Sequence, residues 1–142
     1  MMSEFAIPVV GALLFNEKDE LFLMQSSGKF GDEWIVPGGK VSFGESLENA
    51  LRREIKEETN LELTNIQFLG VREMITETKH FIFLEHAATV LGDQDVLLNN
   101  EAVGFKWFLP ESLKAIQIAG PTLSLIDERL TVEDGKFQLL KK

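Results

Sequence analysis

Residues 39–61, GKVSFGESLENALRREIKEETNL, decide how the rest of this chain is organised. The stretch reads as the end of a loop over residues 38–45 followed by an amphipathic helix from about Ser46 to Thr59. Ser46 carries an oxygen that suits an N-cap, and Asn60 tolerates the left-handed backbone that ends many helices. Apolar residues recur at three- and four-residue steps and predict one buried stripe along the helix, namely Leu47, Ala50, Leu51 and Ile55.

The opposite face of the predicted helix is acidic. Glu54, Glu57 and Glu58 stand at i, i+3 and i+4, and like charges at that spacing oppose a helix by about 0.2–0.5 kcal/mol per pair. Arg53 and Lys56 offset part of this repulsion. A local rule broken without compensation indicates a functional site, and carboxylates beside loop carbonyls suit Mg²⁺ or Mn²⁺. The alternative is a solvated acidic face on a surface helix.

The spacing of these residues resembles the signature of the Nudix hydrolases. That signature reads Gly, five residues, Glu, seven residues, Arg-Glu, an aliphatic residue, one residue, Glu-Glu, one residue, Gly and an aliphatic residue. This chain supplies Gly39, Glu45, Arg53, Glu54, Ile55, Glu57, Glu58 and Leu61 at those positions. Asn60 replaces the usual Gly, at a position that needs a left-handed backbone more than it needs chemistry. The preceding residues 34–40, WIVPGGK, look like the usual approach to this box.

The resemblance implies an α/β fold, an α/β/α sandwich with a mixed β-sheet between helical layers, in one domain over residues 1–142. It implies a pyrophosphohydrolase that uses Mg²⁺, or Mn²⁺, to cleave the pyrophosphate linkage of a nucleoside diphosphate derivative. A nucleoside triphosphate is the first expectation, with release of a nucleoside monophosphate. A nucleotide sugar, ADP-ribose or a dinucleoside polyphosphate is the alternative, as is a Nudix-fold module that binds nucleotides without catalysis.

The resemblance also implies roles for individual residues. Glu54, Glu57 and Glu58 would hold the metal, with the Gly39 carbonyl as a further ligand, and Arg53 would orient them by pairing.

Flanking residues complete the expected site. Glu45 would brace the loop or hold a bound water, and Gly38 would be structural. Lys40 would contact a phosphate or be solvated. Glu101, six residues before Trp107, would be a metal ligand, the general base or an exposed loop carboxylate.

The composition limits which covalent links, metal sites and macromolecular partners the chain can have. The chain has 142 residues and no cysteine, which excludes disulfides and a thiolate metal site. A net charge of −9 argues against general nucleic-acid binding. Residues 6–15, the longest apolar run, are too few to span a membrane. We expect a cytoplasmic protein with no membrane contact, and the resemblance adds a possible homodimer.

The remaining elements follow from apolar patterning and turn residues. Strands are predicted over residues 5–15, 21–25, 61–71, 78–91, 105–109 and 135–140, the first two as a hairpin, and helices over 110–116 and 121–130. The last helix would bury Leu123, Ile126 and Leu130. Lys29 and Phe30, in a small-residue loop, would contact a phosphate and a base, or be solvated and packed in the core. Glu85 and His86 interrupt an apolar strand and either point at the active site or sit at an edge.

The sequence says less about which base the nucleotide substrate carries. Mutator-type enzymes that hydrolyse oxidised guanine triphosphates place an Asn just before the last helix. The comparable residues 119–121 here, Ala-Gly-Pro, contain none, which disfavours that substrate. The chain has no Tyr, so base stacking would fall to Phe or Trp side chains.

Overall fold

The computed structural model describes residues 5–27 and 32–140. Its elements in chain order are β1 (Ile7–Phe15), β2 (Leu21–Ser26), β3 (Trp34–Ile35), β4 (Gly38–Lys40), α1 (Leu47–Thr59), β5 (Leu63–Ile75), β6 (His80–Val90), β7 (Ala102–Phe108), a 3₁₀ helix (Pro110–Ala115), α2 (Gly120–Arg129), β8 (Leu130–Glu133) and β9 (Lys136–Leu139).

Seven strands of the described chain form one mixed sheet in the order β3–β2–β1–β6–β5, with β4 paired to β1 and β7 paired to β2. The central strands β1 and β6 are parallel, from Ile7 opposite Phe81 to Phe15 opposite Thr89. Their other neighbours are antiparallel, including the predicted hairpin of β1 and β2. Strands β8 and β9 form a separate two-stranded sheet.

The sheet lies between two helical layers. Successive strand residues face opposite sides, so Val10, Ala12 and Leu14 of β1 pack in one core with α1. Leu13 lies in the second core, which α2 covers on the other face. The predicted α/β/α sandwich with a mixed sheet is therefore confirmed. None of the helices within the described ranges combines the length and the apolar character needed to cross a membrane.

Helix α1 has the predicted ends. The Ser46 hydroxyl accepts a hydrogen bond from the Asn49 N–H at 3.1 Å, and Asn60 ends the helix with φ 69°. The predicted stripe is wrong at one position, because Leu47 is 37% exposed. Leu47 is the first helical residue, and the buried face begins only at Ala50.

Several predicted boundaries are also wrong. Residues 38–40, expected in a loop, form β4 because their backbone pairs with β1. Strand β7 begins at Ala102, three residues earlier than expected, and β8 was not predicted. In α2, Leu123 is exposed while Thr122 is buried. A stripe inferred from apolar residues alone overlooks a threonine that faces the core.

Candidate active site

Strand β4 lies directly against the acidic face of α1. The Gly38 N–H donates to the Glu58 carboxylate at 2.8 Å. A Cβ on Gly39 would overlap the Glu54 carboxylate, and a Cβ on Gly38 would overlap the Val10 carbonyl. Only glycine fits at position 38 against the β1 backbone, and at position 39 the absent Cβ leaves room for the Glu54 carboxylate, so the two glycines place backbone groups beside two of the predicted ligands.

Arg53 joins the loop to the acidic face. Its Nε and Nη2 donate to the two Glu45 oxygens at 2.6 and 2.8 Å, which is a bidentate pairing. Its Nη1 lies 2.9 Å from Glu54 and 3.4 Å from Glu57. Its Nη2 also donates to the Lys40 carbonyl at 3.1 Å. One guanidinium thus contacts the loop, the strand and two glutamates.

The loop before α1 is held at Glu45. This carboxylate also accepts the Ser42 N–H at 2.9 Å. The Arg53 hydrogen bonds, followed by the one from Ser42, lower the pKa of Glu45 to about 2. The same contacts raise the pKa of Arg53 above its ordinary value. Glu45 is therefore a fixed anion that holds Arg53, as the bracing role requires.

Glu58 is the most enclosed carboxylate of the acidic face, 5% exposed. Burial raises its pKa to about 9, against the opposing effect of the Gly38 N–H. A side-chain hydrogen bond with Glu101 and the charges of Glu101 and Glu54 contribute to this rise. The structure thus brings Glu101, from the loop before β7, to the metal-binding face predicted from the sequence.

The donor chemistry of this face fits a hard divalent cation. Carboxylate and carbonyl oxygens are the ligands that such a cation prefers, and a nearby positive charge would favour ionised Glu58. Within residues 5–27 and 32–140, no group of three or more Asp, Glu, His or Cys side chains is already clustered as a metal site. Arg53 pairs with Glu54 and Glu57 on this face.

The remaining predicted contact residues are less defined. Lys40 is exposed, and its ammonium forms no ion pair with any residue that the structure describes, which leaves it accessible to a phosphate. Lys29 and Phe30 lie outside the described residues.

A pocket of about 210 Å³ opens on the other side of Gly38. Strand β1, the Val36–Pro37 segment, β6 and the start of α2 enclose it, mostly with apolar side chains. The Thr122 hydroxyl ties α2 to this segment by accepting the Val36 N–H at 3.3 Å. The pocket adjoins Gly38, whose N–H donates to Glu58. The organic part of a ligand whose phosphates lie at the glutamates would fit in this pocket.

Glu85 gives this pocket a buried carboxylate. Arg72 of β5 pairs with it at 2.9 Å and also pairs with Glu128 of α2. His86 faces the opposite side of the sheet, where its Nδ1 lies 2.8 Å from the Leu84 carbonyl and burial lowers its pKa. Sequence reasoning singled out Glu85 as a polar interruption but did not assign it, because its partners come from other elements.

Comparison with known proteins agrees with this geometry. A family model described as the NUDIX domain matches residues 6–127. The chain belongs to the Nudix family. The predicted membership in the Nudix hydrolases is therefore confirmed, and the box around α1 lies inside the matched range.

Relatives of this Nudix chain include named phosphatases. The 8-oxo-dGDP phosphatase NUDT18 of Danio rerio is 31% identical over 86% of this chain, which spans only 38% of that relative's length. A putative 8-oxo-dGTP diphosphatase of Bacillus subtilis (strain 168) is 28% identical over 86% of this chain and 79% of its own.

Among solved structures, the MutT protein from Methanosarcina mazei Go1 superposes with a TM-score of 0.70 at 27% identity, over 90% of this chain and 94% of its own. The mixed sheet between helices is thus the Nudix fold.

Proposed function

We propose that this Nudix domain, residues 1–142, is a metal-dependent pyrophosphohydrolase that releases a nucleoside monophosphate from a nucleoside diphosphate derivative. The observation that carries this proposal is the contact of Glu54 and Glu58 with the β4 glycines. Gly38 also lines the mostly apolar pocket. Phosphates at the glutamates and an organic group in the pocket would therefore be joined across Gly38.

The chain's own residues would divide the chemistry as follows. Glu54, Glu57, Glu58 and the Gly39 carbonyl would hold Mg²⁺ or Mn²⁺, which when bound neutralises phosphate charge and lowers the pKa of water. Glu101, exposed and hydrogen-bonded to Glu58, would accept the proton of the attacking water.

Residues around the glutamates would fix the geometry. Arg53 would hold the glutamates in register with the loop through Glu45. The exposed Lys40 ammonium would contact a phosphate of the substrate.

The side chains that line the pocket indicate what kind of organic group the substrate carries. Its apolar walls suit a flat base, and the Glu85 carboxylate would accept hydrogen bonds from base N–H groups. We place a (deoxy)nucleoside triphosphate first. Oxidised guanine nucleotides belong in the first test because two relatives carry those names, although Ala119 stands before α2 where mutator-type enzymes have Asn.

A hydrolysis screen tests the proposal. The purified chain with Mg²⁺ or Mn²⁺ would receive nucleoside triphosphates, 8-oxo-dGTP, 8-oxo-dGDP, ADP-ribose, nucleotide sugars and dinucleoside polyphosphates. Chromatography would identify the products. We expect one class to yield a nucleoside monophosphate, with activity lost in Glu58→Gln. Absence of turnover for every class would instead favour the non-catalytic binding module.

A further inference from the structure

A second cleft lies at the other end of the sheet from the β4 glycines. It has a volume of about 740 Å³ and opens between the ends of β1, β5 and β6, the last residue of α2 and strand β9. Its walls combine aromatic rings with polar side chains, among them Phe15, Phe68, Phe137, Gln67, Gln138 and Arg129. This mixture differs from the mostly apolar pocket beside Gly38.

Irregular pairing of β5 creates the cleft. The register between β5 and β6 shifts between Thr64 and Gln67 and again between Phe68 and Gly70. Asn65 takes a left-handed backbone with φ 52° within the first shift. A neighbouring hollow of about 420 Å³ continues the cleft along these residues. A β-bulge bends its strand, so β5 does not fill the space under the β8–β9 hairpin.

Arg129 is the cation among the described residues that line this cleft, and the one carboxylate there, Asp19, lies 3.8 Å from the Lys136 ammonium. Its guanidinium lies so close to Gly70 that a Cβ there would overlap Nη2. Its Nε is buried and has no hydrogen-bond partner, which holds for no other buried side-chain N or O atom of the described residues. A buried donor left unpaired is costly, so this one indicates an acceptor that the chain itself does not supply.

The nearby acidic residues are already engaged. Arg72 lies two residues from Gly70 on β5 and takes both Glu85 and Glu128 as partners. No carboxylate of the described residues lies within ion-pairing distance of Arg129. The planar donors of the guanidinium are therefore not taken by a carboxylate of the described residues.

We propose that this cleft binds a small organic oxyanion, a carboxylate or a phosphate ester, through Arg129. Two oxygens of the anion accept hydrogen bonds from N–H groups of the Arg129 guanidinium, the bidentate geometry in which Arg pairs with carboxylates and phosphates. The apolar body of the ligand packs against Phe68 and Phe137, which line the same cleft.

The cleft is separate from the active site. Phe15 of the cleft is four residues from Gly11, the β1 partner of Gly38, which corresponds to about 13 Å along a strand. The proposal therefore does not depend on the proposed catalytic function.

The test observes Arg129 directly in the 142-residue chain. The sequence contains four arginines, so the NMR spectrum of Arg Nε–Hε groups is small, and through-bond correlations assign Arg129. Inorganic phosphate and benzoate would be titrated separately, without divalent metal and at constant ionic strength. We expect saturable movement of the Arg129 peak with at least one of them. Phosphate alone would identify a phosphate ester site, and benzoate alone a carboxylate site.

Variants provide the comparison. Arg129→Lys keeps the positive charge but loses the bidentate fork, so affinity, followed in every variant by the backbone amide of Gly70 beside the guanidinium, should fall about tenfold. Arg52→Lys is the matched control, since Arg52 lies on the exposed face of α1 against Glu48, and it should bind like the wild type. The proposal fails if neither anion moves the wild-type Arg129 peak, or if chloride moves it equally. Both of these outcomes are measured on the wild-type protein, so the test remains decisive even if Arg129→Lys does not fold.

Discussion

At the scale of a single residue, Glu58 combines deep burial with a place among other carboxylates. Its burial and the neighbouring Glu101 and Glu54 raise its pKa to about 9. Glu58→Gln keeps the size and an acceptor for the Gly38 N–H but cannot carry the charge that a metal ligand needs. We expect turnover to fall by about 10²- to 10⁴-fold, with an unfolding midpoint no lower than that of the wild type. Steady-state kinetics at saturating Mg²⁺ and urea unfolding measure the two. If Glu58→Gln kept wild-type rates, the assignment of Glu58 to the active site would be wrong.

The glycines of β4 separate a structural requirement from a functional one. A Cβ on Gly38 would overlap the backbone of β1, which cannot move aside, whereas a Cβ on Gly39 would overlap only the flexible end of Glu54. Gly38→Ala should therefore destabilise the fold, and Gly39→Ala should leave it stable but displace Glu54 and reduce turnover.

Gly104→Ala is the control for both, since its Cβ would meet nothing closer than Gln25 at 3.8 Å. Thermal unfolding and hydrolysis assays on all three variants measure both effects. An active Gly39→Ala enzyme would contradict the role of Glu54.

At the scale of elements, the Glu45–Arg53 pair connects the loop to α1. The folded-state pKa of Glu45 is lowered to about 2 from its ordinary value of 4.5, so its contribution to stability is present above about pH 4.5 and is lost as pH falls towards 2. Glu45→Gln should therefore unfold at a lower temperature than the wild type at neutral pH, with a difference that shrinks below about pH 4.5.

Thermal melts of both proteins across this pH range measure the difference. Glu48→Gln is the control, because Glu48 pairs with Arg52 on the exposed helix surface, and exposed pairs contribute little. A difference between Glu45→Gln and wild type that does not depend on pH would show that the ionised pair is not what holds the loop.

Local chemistry explains which elements the sequence could predict. The caps of α1 and the spacing of its acidic residues depend on neighbours within a few positions, so Ser46 and Asn60 were predictable. Strand β4 exists only because its backbone reaches β1, and nothing in Gly38 itself favours a strand. The partner of Glu85, Arg72, comes from β5 and is itself paired with Glu128 of α2, so the place of Glu85 beside the pocket could be known only from the fold. The irregular β5 that opens the Arg129 cleft has the same origin.

At the scale of the whole molecule, charge makes substrate and cation interdependent. The chain carries a net charge of −9, and part of that charge, on Glu54, Glu57 and Glu101, surrounds the proposed position of a polyphosphate. Repulsion should keep a nucleotide from binding alone, and a divalent ion between the two sets of anions removes that repulsion.

Melting temperatures test this interdependence. A nucleoside triphosphate without metal should leave the melting temperature unchanged. Mg²⁺ with the nucleotide should raise it by more than Mg²⁺ alone, as linkage requires for a ternary complex. Glu57→Gln should reduce that gain, whereas Glu111→Gln, on the exposed 3₁₀ helix, should retain it. A full shift from Mg²⁺ alone would indicate a simple cation-binding domain, and a full shift from nucleotide alone would mean that residues of the chain, rather than a metal, neutralise the phosphates.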